Sequence, residues 1–126
     1  MRPRSLAEVA RMAAKGDSFD YCLANFLDEF YASPNAEALG HSPTLLASEF
    51  SVLGRLQDSY LAATAEELAS KYSLAVPGWT AGAERTLRHP WFASPLGALR
   101  AVLILESPAA FRSRNIFVSQ NALARA

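Results

Sequence analysis

Several things are scarce in this 126-residue chain, and each scarcity removes a class of explanation. It has one cysteine, Cys22, so no internal disulfide framework can form, which fits a reducing compartment. Two histidines, His41 and His89, stand far apart without ligand spacing, and no HExxH or ExxH pattern supports a transition-metal site. There is no Gly-rich phosphate loop, no GxSxG elbow and no RNP motif. No cofactor, catalytic residue or metal is therefore expected. The longest apolar run, Leu96 to Leu105, is interrupted by Arg100 and falls far below the ~20 residues that span a bilayer. No apolar stretch follows Arg2 and Arg4, so neither a secretory signal nor a membrane partner is expected. "MRPRSLAEVARMAAK" has some character of an amphipathic transit peptide, but Glu8 and the capping pattern favour an ordinary first helix. The expected location is cytoplasmic.

What is present is apolar content of 51% with 19% charged residues, enough for one core, and a single helical domain over 1–126 is expected. Net charge is zero, yet the charges are segregated. Residues 1–15 carry four bases and one acid, residues 16–84 two bases and ten acids, residues 85–126 six arginines and Glu106, so the net values are +3, −8 and +5. Either the basic ends fold back on the acidic middle, or the basic C-terminal third faces an anionic partner.

Periodicity predicts a mostly α chain, a compact bundle of about five or six helices with an irregular loop at 77–94. "RSLAEVARMAAKGD" reads as a helix capped by Ser5, with Glu8 completing a capping box and Leu6, Val9, Ala10 and Ala13 on one face. Phe19, Cys22, Leu23, Phe26, Leu27 and Phe30 make an apolar stripe ended by Ser33-Pro34. A helical turn is expected near Ala36–Leu39, and a long helix from Leu53 to Tyr72. The Leu96–Leu105 run, opened by Ser94-Pro95, is apolar nearly all round and is expected at the centre. Serine before proline is a favoured helix start, so Ser107 is expected to cap "PAAFRSR". "NIFVS" reads as extended and "QNALARA" as a fraying terminal helix.

Three groups of residues stand out. Arg112 and Arg114 flank a serine beside Asn115 and Phe117, a set that suits phosphate clamping, a protein docking face, or pairing with the acids of 16–84. Trp79, Arg88, Trp91 and Phe92 lie on or beside the 77–94 loop, where tryptophan and arginine serve as partner anchors or pin the loop to the core. Glu106, Arg112 and Trp91 are the residues around which a ligand pocket or small active site would be framed. Cys22, on the apolar stripe, reads as a buried hydrophobe rather than a nucleophile.

The segments "FDYCLANFLDEFY", "YLAATAEELASKY", "VPGW", "HPWFASPLGALRAVLILESPAAFRSRNIFV" and "NALARA" together resemble a family of small, uncharacterised, mostly helical bacterial proteins. The resemblance covers nearly the whole chain. It implies an antitoxin-like companion of a nucleotidyltransferase-type toxin, with no catalytic residue to carry over. The family's signature falls on Trp79, Trp91, Phe92, Glu106, Ser107, Pro108, Phe111, Arg112, Asn115 and Phe117. The leading expectation is a non-enzymatic interaction module whose basic, aromatic C-terminal third binds another protein. A nucleic-acid-binding role for the same arginines, a small-ligand or enzymatic pocket, and a homo-oligomer remain open alternatives.

Overall fold

The computed structural model describes residues 2–94 and 96–125. Helix α1 is Leu6–Ala14, and the hydroxyl of Ser5 accepts the Glu8 N–H at 3.1 Å, as the sequence predicts for its cap. The Glu8 carboxylate lies 3.8 Å from Arg11. The helix stops where Gly16 takes φ +112°, a left-handed conformation that costs glycine little. Gly16 and Asp17 then donate to Ala13 and Met12 at 3.0 and 3.1 Å, closing the last turn as a Schellman motif.

Helix α2, Phe19–Ala32, is capped by Ser18 and buries Cys22, Leu23, Phe26, Leu27 and Phe30, the predicted stripe. A single turn, α3, Glu37–Gly40, follows; Asn35 caps it through the Ala38 N–H, and Ala38 and Leu39 point into the core.

The centre of the bundle is α4, Ala47–Lys71. It begins six residues before the expected Leu53 because its first turn is offset by a break at Ser51, where φ is 53°. The break folds residues 46–47 back against Gly54. A methyl group at Gly54 would lie 2.2 Å from the Leu46 carbonyl oxygen, so this approach requires glycine. Beyond it Leu61, Ala62, Ala65, Leu68 and Ala69 are fully buried, and the small alanines let α1, α6 and the following turns pack closely. Leu53, the expected first residue of this helix, is 55% exposed.

Two 3-10 turns, Gly78–Ala81 and Ala83–Arg85, line α4 inside the 77–94 segment. Strand β1, Trp91–Phe92, pairs in parallel with β2, Ile116–Phe117, in the stretch predicted to be extended. Between them come a turn at Gly97–Leu99, helix α5, Arg100–Glu106, and the short α6, Ala109–Arg112. Among the described residues the chain is thus a small all-α bundle of six helices with one two-residue ladder.

Three expectations need correction. The 96–105 segment is peripheral: only Leu103 of α5 is buried, and its main neighbours are β2 and the turn before it. An apolar circumference predicted a central helix, but α4 already fills the centre; Pro95, expected to open the segment, lies outside the described residues. Ser107 does not cap α6, where Pro108 holds the N-cap position. The Ser107 hydroxyl instead donates to the Val118 carbonyl at 3.0 Å and accepts the Val118 N–H at 2.7 Å, closing the loop that contains α6 and β2. Residues 120–123 form a turn rather than a helix, anchored by buried Leu123, whose carbonyl accepts the Tyr31 hydroxyl at 2.7 Å.

Candidate interaction surface

The two arginines of "FRSR" part company. Arg114 is buried, donating to the Ala110 carbonyl at 2.8 Å, the Thr80 carbonyl at 3.0 Å and the Glu66 carboxylate at 2.5 Å. It fastens α6 to α4 and to the first 3-10 turn. Arg112 lies on the exposed side of α6 and donates to the Ser107 carbonyl at 3.2 Å. Asn115 adopts φ 64°, a conformation its short polar side chain tolerates, and its amide donates to the Leu87 carbonyl at 2.7 Å. Its own carbonyl accepts the Trp91 N–H at 2.8 Å, so it joins the irregular segment to β2.

Trp79 is half-buried; its indole N–H donates to the Leu39 carbonyl at 2.9 Å, and the Arg85 guanidinium sits 4.8 Å above its ring. Arg85, within the 77–94 loop, and Asp58, within the long helix, carry no motif that marks them in the sequence. The structure buries both, at 2% and 1% exposure. Asp58 accepts the Leu46 and Ala47 N–H groups at 2.6 and 3.1 Å, capping the start of its own helix across the break. Arg85 donates to the Pro43 and Asp58 carbonyls at 2.7 and 3.3 Å and lies 3.9 Å from the Asp58 carboxylate. Burial pushes the Asp58 carboxyl above its usual range, against the pull of its two backbone donors and Arg85. The signal available in the sequence was an acid on the inner side of a long helix, eleven residues after the segment it caps.

These contacts fit the folding-back reading of the segregated charge. Arg2 meets Asp28 and Glu29 at 3.8 and 3.9 Å, Arg125 meets Asp28 at 2.9 Å, and Arg85 and Arg114 reach Asp58 and Glu66. The Arg125 hydrogen bond holds the Asp28 carboxyl below its usual range. Arg88, Arg100 and Arg112 stay on the outside.

At the ladder, Phe92 stacks on Phe117 with ring centres 4.9 Å apart, and the Arg100 guanidinium covers the Phe92 ring at 5.0 Å. Trp91, 37% exposed, turns the other way and lines a groove of about 680 Å³ with Phe19, Leu53, Leu56, Tyr60 and Val118. Neither Glu106 nor Arg112 lines it, so the three residues suggested to frame a pocket do not meet there. Burial pushes the Tyr60 hydroxyl up to about 12, which keeps it neutral. Burial, followed by the charge of Asp17, raises the Cys22 thiol, the inert setting expected for a core cysteine. His41 and His89 are exposed, and among the described residues no three His, Cys, Asp or Glu side chains are grouped to hold a metal. No helix among them is long and apolar enough to cross a membrane.

The largest departure from ordinary burial is the apolar 96–105 segment, expected at the centre and found outside it. Leu96, Leu99, Val102, Ile104 and Leu105 are exposed by 61%, 42%, 43%, 43% and 81%. Scattered surface leucines need no explanation, but five large apolar side chains within ten residues are a patch. Compared with protein-family models, curated proteins and solved structures, the chain matches none.

Proposed function

We propose that this chain is a non-enzymatic interaction module, and that its docking surface is the apolar outside of α5. The observation that carries the reading is the exposure of Leu96, Leu99, Val102, Ile104 and Leu105 on a short helix. Water contact with such a patch is unfavourable by roughly 25 cal/mol per Å², so a partner that covers it gains affinity without disturbing the core. The role of antitoxin-like companion implied by the family resemblance requires a surface of this kind. The reading moves the docking face from the Arg112–Arg114 pair, of which Arg114 is engaged inside the bundle, to the helix just before it.

A nucleic-acid surface would need several arginines on one face and a steep dependence on salt. With Arg85 and Arg114 buried and Arg125 bonded to Asp28, only Arg88, Arg100 and Arg112 of the C-terminal third remain for it. The apolar patch is the better supported feature.

A photo-crosslinking residue at position 105 tests the proposal in the native cell. The expected result is a discrete protein adduct, absent when the same residue stands at exposed position 48 on the far side of the break. If position 105 gives no adduct although the chain is folded, the α5 surface is not a docking face.

A further inference from the structure

Resting on that reading, we infer that the occupant of the α5 surface is a second copy of this chain, whose α5 lies in the groove between α2 and α4. The segment from Leu96 to Glu106 carries two charges, Arg100 at the start of α5 and Glu106 at its end, about 9 Å apart at 1.5 Å per residue. Apart from the half-buried Gln57 amide, the groove walls between α2 and α4 are largely apolar, formed by Leu23, Leu27, Leu53, Leu56, Trp91 and Val118. Two charged side chains stand at its rim. One is Asp20 on the first turn of α2; the other is Arg125, tied to Asp28 eight residues further along the same helix. Asp20 and Asp28 are about 12 Å apart on that helix.

An acid and a base at the rim thus face a base and an acid on the helix, at similar separation. Arg100, Glu106 and Asp20 have no ion-pair partner among the described residues. Seated with Arg100 toward Asp20 and Glu106 toward Arg125, α5 runs parallel to the α2 of the other copy. Helix and groove also border the same ladder. α5 packs against β2, while Trp91 of β1 and Val118 just after β2 line the groove. Ser107, directly after α5, bonds the Val118 backbone, so the helix ends beside the groove wall, and two copies that exchanged helices about a twofold axis would each give what it receives. A net charge of zero adds no long-range repulsion between copies.

Sedimentation velocity of the purified full-length chain over a concentration series, with melting curves for every variant, tests this. The expected result is a concentration-dependent dimer, lost in Leu105→Glu. Asp20→Arg weakens it by about tenfold or more through two like-charge contacts per dimer, and Asp20→Arg/Arg100→Asp restores it to within about threefold. Asp20→Asn, which only removes the attraction, falls between. A chain that stays monomeric up to about 1 mM overturns the inference. So does a dimer indifferent to Leu105→Glu, or a charge swap that fails to rescue while its melting point is normal. The crosslink at position 105 separates the two readings. An adduct of twice the chain mass supports the second copy; a foreign protein adduct on a monomeric chain refutes it and leaves the docking surface standing.

Discussion

Helices α2 and α5 are both rich in large apolar side chains, yet one is sunk in the bundle and the other stands outside it. In α2 the apolar residues recur at helical spacing on one side, and α1 and α4 offer the surface that receives Phe26, Leu27 and Phe30. In α5 they run around the circumference, and only Leu103 turns inward, because the centre of the bundle is already filled by the alanine-rich α4. Apolar content says that a segment seeks cover; it does not say that the same chain supplies it. The difference divides the molecule into a half whose mutations report on stability and a short segment whose mutations report on association.

That division can be broken or sharpened by substitution, and the largest effect belongs to the buried pair. Arg85→Ala leaves Asp58 buried without its cation and opens the Pro43 carbonyl, and should cost about 3–5 kcal/mol in urea unfolding. A loss below about 1 kcal/mol would show that Asp58 is held by its backbone donors alone.

A middle-sized effect should appear at alkaline pH. The Tyr60 hydroxyl is raised by burial from 10.0 to about 12, so above pH 10 the unfolded chain loses this proton more readily than the folded one. Its contribution is complete below pH 10 and drains away as pH climbs to about 12, by up to about 2–3 kcal/mol. Tyr60→Phe should flatten that part of the stability curve; an unchanged slope between the two proteins would place the Tyr60 ring in contact with water.

The smallest effect on stability is expected at α5. Leu105→Glu, at 81% exposure, should change the unfolding free energy by no more than about 0.5 kcal/mol while abolishing self-association. Should it destabilise the chain as much as a core substitution, α5 belongs to the monomer's core and the division fails.

The helices with marked ends and one apolar side were legible in the sequence: Ser5 and Gly16 bound α1, and the stripe from Phe19 to Phe30 faces inward as read. What stayed hidden depends on contacts between distant residues. Nothing local announces that Ser51 would break α4 or that Asp58 would reach back twelve residues to Leu46. Ser107 before Pro108 has the composition of a cap, but the Val118 backbone competes for its hydroxyl and wins. Arg112 and Arg114 are alike in sequence and unlike in space because Glu66 and the Thr80 carbonyl meet only one of them. Position 105 could be recognised as apolar; only the filled centre of the bundle shows that it faces out.

Amide hydrogen exchange of residues 99–106 against α4, across a dilution series of the intact chain, bears most directly on the exposed helix. α5 amides should exchange fast in the dilute monomer and become protected as copies or a partner cover them, with α4 protected throughout. Protection of α5 equal to that of α4 at every dilution would mean that the monomer buries this helix by itself, and the docking account would fall.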